Sequence, residues 1–176
     1  MAAVLDVPLV LVILNNRYAF STPTREQYRA ESLAARAAGY GIEGRQVDGN
    51  DPLAVFAAVS DATARARSGC GPTLIEAMLG RMRGHSEGDD SLGILEESER
   101  ERYESEDPVS CFESSLVAQG IATLEHLEKV RGICSELVLE IVDEAAASEK
   151  PELVGGARSV FSMAVGGGDT GPLGRR

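Results

Sequence analysis

An unbroken apolar run from Pro8 to Leu14, PLVLVIL, closed by the pair Asn15-Asn16, constrains this chain more than any other feature. The run is too short and too β-branched for a helix, and too continuously apolar for a strand with one wet face. It predicts a strand buried on both faces, as in parallel α/β sheets. Such strands end in crevices at their carboxyl ends, where ligands bind. The Asn pair then has two readings. Asn tolerates left-handed backbone and bonds its own main chain, so the pair can simply turn the chain, and on these two residues alone the turn is favoured. Alternatively, a side-chain amide oxygen and a nearby backbone carbonyl just past the strand offer the hard oxygen ligands that Mg²⁺ shares with substrate phosphates.

The pattern continues in α/β fashion. Residues from Glu26 to Ala38 are good helix formers, and AESLAARAAGYG ends on glycines suited to a helix stop. RQVDG (45–49) reads as a short strand and turn. Asp51-Pro52 is a helix start, with a capping carboxylate and a proline where its missing N–H costs nothing. Leu53, Phe56, Ala57 and Val59 place an apolar stripe on that helix, which runs to about Ser68 before Gly69 and Gly71. PTLIEAML (72–79) is the next buried strand. Strands and helices alternating over short connections imply a parallel sheet with right-handed crossovers.

GRMRGHSEGDDSLG (80–93) is almost devoid of apolar residues and reads as a loop, with Arg81 and Arg83 facing Glu87, Asp89 and Asp90 across His85. A loop histidine among glycines is, by itself, as readily ordinary as functional. The other histidine, His126, falls in a charged helix and reads as a solvated surface residue. EESERERYESED (96–107) is a charged surface helix. DPVSCFESSLVAQG repeats the Asp-Pro start and ends on Gly120. Thr123 can cap a long helix on which Leu124, Leu127, Val130, Cys134, Leu137, Val138, Ile141 and Val142 recur every three or four residues, a stripe fit to pack on the sheet or on a partner subunit. Beyond Pro151 the glycine-rich tail has no periodicity and is expected to be flexible.

Composition narrows the function classes. With 28 acidic against 17 basic side chains the net charge is −11, which argues against nucleic acid as a partner. No stretch has the apolar length of a membrane span, and no basic region precedes the first apolar run, so no membrane role and a cytoplasmic location are expected. Cys70, Cys111 and Cys134 are odd in number and lack zinc spacing, and read as buried free thiols.

Three segments, NNRYAFSTPTREQYRAESLAARAAGYGI (15–42), VDGNDPLAVFAAVSDATARARSGCGPTLIEA (47–77) and RMRGHSEGDDS (81–91), carry a resemblance to the alpha subunit of the thiamine-diphosphate-dependent 2-oxo acid dehydrogenases. STPTREQYR and LIEA look most like the branched-chain subgroup, and GHSEGDD is also similar to the pyruvate and acetoin subgroups. The resemblance implies a thiamine-diphosphate-binding α/β fold, Mg²⁺ as the accompanying metal, a beta subunit in an α2β2 assembly, and a lipoyl-bearing acyltransferase as acyl acceptor. In the family a Gly-Asp-Gly triplet lies a few tens of residues before the Asn pair. Here fourteen residues precede Asn15, so the chain is expected to be the carboxyl-terminal part of a longer subunit.

Residue by residue, the resemblance implies that the Asn16 side chain and the Tyr18 backbone carbonyl bind the metal, that Asn16, Tyr18, Ala19 and His85 face the cofactor, and that His85 serves the reaction. Arg81 and Asp89 match residues that support the loop, and Ser86 matches the serine phosphorylated in mitochondrial relatives. For Arg81 and Asp89 a solvated ion pair is the plain alternative. Leu14 departs from a polar family residue near the diphosphate, and Ile94-Leu95 replaces a Tyr-Arg pair. The glutamate that activates the cofactor lies on the family's beta subunit, so an alpha chain alone is expected to be inactive. The resulting organisation is a partial cofactor-binding α/β domain over 1–95, a helical extension over 96–150 and a tail over 151–176. The expected reaction is oxidative decarboxylation of a 2-oxo acid, branched-chain first, with a pyruvate or acetoin enzyme or a non-catalytic assembly piece as alternatives.

Overall fold

A computed structural model describes residues 1–86, 88–89 and 93–150. The expected flexible tail, together with Glu87 and Asp90, lies outside them. Contacts divide the chain into Met1–Leu124 and a second unit from Glu125 onward.

The first unit contains strands β1 (Val10–Asn15), β2 (Tyr18–Ala19), β3 (Thr22–Pro23), β4 (Glu43–Asp48) and β5 (Thr73–Met78), and helices α1 (Ala37–Tyr40), α2 (Pro52–Arg67), α3 (Glu97–Ser105) and α4 (Pro108–Ala118). β1, β5 and β4 form a parallel sheet in that order, in register from Val10 opposite Thr73 to Asn15 opposite Met78, and from Glu43 opposite Thr73 to Asp48 opposite Met78. All three strands therefore end level, and the loops that follow them share one edge. β2 and β3 are a small antiparallel ribbon.

β5 is buried from Thr73 to Ala77 because it has a strand on each side. On one face Ile75 packs against Ala58 and Ala62 of α2, with Val10, Val47 and Val59 around them. Fully burying a side chain of this size contributes roughly 1.5–3 kcal/mol. Asp51 caps α2 as its sequence predicts, accepting from the amides of Leu53 and Ala54. The buried stripe of α2 is not the expected one: Ala58, Ala62 and Ala66 face inward, whereas Leu53, Phe56 and Ala57 are exposed. Small residues at intervals of four bring the helix backbone close to the sheet, and the large ones are left outside.

Three other expectations are corrected. β1 is a strand but is not buried on both faces. It lies at an edge of this sheet, and Leu11, Val12 and Leu14 are exposed, Leu14 by 69%. The segment from Glu26 to Ala38 does not form one helix. It contains 3-10 turns at Thr24–Glu26 and Ala34–Arg36, then the single turn of α1, which Gly41 ends at φ 71° as expected. The three cysteines are free but exposed.

Helix α4 starts on Asp107 and Pro108 and is followed by Gly120 at φ 68°. α3 is charged and mostly exposed, yet Tyr103 within it is buried against Gly80. In the second unit, α5 (Leu124–Ala147) is the predicted long helix. Its apolar stripe is not core: Val130, Leu137, Val138, Ile141 and Val142 are all exposed. No helix among the described residues is long and apolar enough to cross a membrane.

Candidate functional site

At the carboxyl ends of the three parallel strands the chain makes a buried polar network. Asn15, the last residue of β1, is buried, and its Oδ1 accepts from the Arg17 amide at 3.0 Å. A main-chain N–H can only donate, so the Asn15 Nδ2 must point the other way. There it donates to Glu76 Oε1 at 2.6 Å and to the Tyr28 hydroxyl at 3.1 Å. Asn16 repeats the turn one residue on, its Oδ1 accepting from the Tyr18 amide at 3.0 Å. The turn expected of an Asn pair is therefore present, and it drives Arg17 to φ 68°. Phe20 is also left-handed, at φ 55°. Such non-glycine conformations cost about 1 kcal/mol or more each and persist where surrounding contacts over-determine them.

The ribbon that follows carries Tyr18 and Ala19. Tyr18 is opposite Pro23, which has no N–H to offer its carbonyl. The Tyr18 hydroxyl donates to Glu99 Oε2 at 2.7 Å, tying this loop to α3. Burial pushes the phenol up to about 12, helped by that hydrogen bond and by the Glu99 charge. Ala19 is exposed at the ribbon's rim.

The loop after β5 meets this turn. Arg81 lies with its guanidinium 5.5 Å from the centroid of the Tyr18 ring, and His85 packs edge-on to Phe20 at 5.4 Å between centroids. Asp89 Oδ2 accepts from the Ser86 amide at 2.9 Å and from the Ser86 hydroxyl at 2.8 Å. These two bonds, the hydroxyl's first, hold the Asp89 carboxyl below its ordinary range, with lesser help from the His85 and Arg81 charges. A Cβ on Gly84 would sit 2.6 Å from that of Asp89, so only glycine lets the loop close on itself here. Leu95, beyond the loop, is buried.

The plain alternative, a solvated ion pair, does not describe Arg81. Arg81 is only 8% exposed, and among the described residues none of its three guanidinium nitrogens has a hydrogen-bond partner. Arginine stays charged when buried, and an uncompensated buried charge is costly. The Tyr18 ring offsets part of this cost. The Asp89 carboxyl, which feels the Arg81 charge, offsets another part.

Beside the Asn turn a cleft of about 660 Å³ opens, lined by Arg17, Asp48, Met78, Gly80, Arg102 and Tyr103 among others. Among the described residues no group of three His, Cys, Asp or Glu side chains could hold a metal ion. A cation here would depend on amide and carbonyl oxygens together with a ligand's own oxygens. Asn16 Oδ1 still has a lone pair after accepting from Tyr18.

Sequence reasoning did not identify Glu76, Tyr28, Tyr103 or Phe20 as parts of this construction. Glu76 carried the one available signal: a carboxylate inside the apolar run TLIEAM demands partners when the strand is buried.

The fold agrees with comparison to known proteins. Residues 1–154 match the family model described as dehydrogenase E1 component, and the chain belongs to that family. It is 39% identical over 142 residues to the 3-methyl-2-oxobutanoate dehydrogenase subunit alpha of Mycobacterium tuberculosis, covering 81% of this chain and 39% of that protein. It is 40% identical over 151 residues to the mitochondrial 2-oxoisovalerate dehydrogenase subunit alpha of Homo sapiens, covering 85% of this chain and 34% of that one. The pyruvate dehydrogenase E1 component subunit alpha of Bacillus subtilis is 38% identical over 153 residues, with 86% and 41% covered. The chain thus spans well under half the length of these relatives.

Proposed function

We propose that this chain is part of the alpha subunit of a 2-oxo acid dehydrogenase and forms one wall of a thiamine-diphosphate and Mg²⁺ site. Oxidative decarboxylation of a branched-chain 2-oxo acid, with acyl transfer to a lipoyl-bearing acyltransferase, is the reaction it serves. The observation that carries this reading is Arg81, a buried guanidinium without a hydrogen-bond partner among the described residues, set beside the Asn turn. A diphosphate is the kind of anion such a group suits. Asn16 Oδ1 and the Tyr18 carbonyl would hold the Mg²⁺, with phosphate oxygens completing its shell. Ala19, at the ribbon's rim, would lie against the cofactor.

When bound, thiamine diphosphate supplies a carbon nucleophile and an electron sink for decarboxylation. The chain's own contributions are placement and proton handling. Exposed on its loop and steadied edge-on by Phe20, the His85 imidazole can give or take a proton at the reacting substrate. Ser86 and Asp89 hold the loop that presents it.

The branched-chain preference is supported by the names of the Mycobacterium and human relatives, and the Bacillus pyruvate enzyme marks the alternative substrate. A beta subunit completes the component in this reading, and the exposed apolar stripe of α5 suits a protein partner.

Calorimetry with thiamine diphosphate and Mg²⁺ tests the proposal, using the chain alone and the chain mixed with a beta subunit and with the family's preceding alpha segment. Cofactor uptake in the complete mixture supports it. Binding of the beta subunit with no cofactor uptake under any condition would make the chain an assembly piece instead.

A further inference from the structure

Glu76 sits at the centre of the sheet, 0% exposed, on the opposite face of β5 from Ile75 and α2. Both of its carboxylate oxygens act as acceptors. Oε1 takes the Asn15 Nδ2 at 2.6 Å, and Oε2 takes the Ala34 amide at 2.9 Å and Gln46 Nε2 at 3.4 Å. Its three donors come from β1, β4 and the segment before α1, so a single side chain joins three separate parts of the chain beneath the sheet's edge.

We propose that Glu76 is a positioning residue: through Asn15 it fixes the Asn15–Asn16 turn, and with it the oxygen atoms that the turn presents at the edge of the sheet. The chain of hydrogen bonds runs one way. Glu76 can only accept where Asn15 Nδ2 approaches, which orients the Asn15 amide and aims Oδ1 at the Arg17 N–H. That bond holds Arg17 left-handed and so sets the backbone direction of Asn16 and Tyr18. Turned over, the Asn15 amide would set its oxygen against a carboxylate and its NH₂ against an N–H, losing both bonds at once. Burial raises the cost of either mismatch. Gly44 lets the donor at residue 34 come within reach, because a Cβ there would collide with the Ala34 carbonyl and the Ala37 side chain.

The role of the turn in holding a cofactor rests on the proposed function, but the positioning itself can be tested without ligand. Hydrogen exchange of the Arg17 and Tyr18 amides, measured by NMR beside global unfolding, separates positioning from general support. In Glu76→Gln, Asn15 or Ala34 loses its acceptor, and the Arg17 amide is expected to exchange at least tenfold faster than the change in global stability accounts for. The double variant Asn15→Asp with Glu76→Gln exchanges donor and acceptor: the new amide at position 76 donates to the new carboxylate at position 15, which still accepts from the Arg17 N–H. It is expected to fold and to return Arg17 exchange to within about threefold of the parent chain. Exchange at Arg17 that merely tracks global stability in Glu76→Gln overturns the proposal, as does a double variant that fails to fold or to restore protection. A chain that never binds thiamine diphosphate and Mg²⁺ counts against the proposed function and leaves this result standing.

Discussion

The guanidinium of Arg81 stands 5.5 Å from the ring centroid of Tyr18, and in this way the loop after β5 touches the loop after β1. The strands are adjacent and end level, so residues more than sixty positions apart in the chain are delivered to one edge. His85 makes the second contact, edge-on to Phe20. A charged group, an imidazole and a left-handed turn are thus brought together at one edge of the sheet.

His85 is expected to act in turnover and not in cofactor retention. In a reconstituted enzyme, His85→Ala should keep cofactor affinity within about tenfold, or ~1.4 kcal/mol, while lowering kcat by a hundredfold or more. Steady-state kinetics alongside calorimetry checks both parts, and unchanged turnover would remove His85 from the mechanism.

Tyr18 should ionise above the ordinary tyrosine range. Its value in the folded chain, about 12, lies above the ordinary 10.0, so its contribution to stability is fully present below pH 10 and disappears as pH rises toward 12. Tyrosinate absorbance should show a step near pH 12 that Tyr18→Phe removes. Loss of a step near pH 10 instead would show that Tyr18 is neither buried nor bonded to Glu99 in this way.

At acid pH the Ser86–Asp89 bridge gives the opposite sign. The Asp89 carboxyl is held below its ordinary 3.8, so its contribution is present above that pH and is lost as pH falls through the lower folded value. The Ser86 amide resonance should therefore stay constant down to about pH 4 and move below it, and Asp89→Asn should abolish the transition. A phosphate on Ser86, or Ser86→Asp, would set like charges together where the hydroxyl now donates at 2.8 Å. The expected outcome is an opened loop and loss of the Phe20–His85 ring contact, read as loss of the cross-ring NOE.

Gly44→Ala is expected to lower stability by about 1–3 kcal/mol, since its Cβ would lie 2.6 Å from that of Ala37. Gly39→Ala is the control, with nothing within 4 Å of the added methyl, and should be neutral or slightly stabilising. Thermal denaturation of the two variants reads the difference directly.

The sequence made some of this legible for local reasons. α2 announced itself because Asp51-Pro52 starts it and Gly69 and Gly71, both at positive φ, stop it. β5 was evident because a central strand admits little water, and its apolar run says so. Where tertiary partners decide, propensity misled. The stretch from Glu26 to Ala38 has helix-forming residues, yet Glu76 takes the amide of Ala34 and Ser32 takes that of Ala35, so a continuous helix gives way to short turns. On α2 the large apolar residues suggested the buried face, but close approach to the sheet favours Ala58, Ala62 and Ala66. The Asn pair was readable as a turn. That Glu76 orients it from another strand was not, because the contact depends on strand order and register.

The central claim is that the loops following β1 and β5 form one ligand site, and an NMR-monitored titration of the ¹⁵N-labelled chain with thiamine diphosphate and Mg²⁺ tests it most directly. The account predicts that the amides of Asn16, Tyr18, Arg81 and His85 shift together along a single saturation curve, and that Arg81→Ala weakens the response of both loops alike. Shifts confined to one loop, or no shifts in the complete alpha and beta assembly, would contradict it.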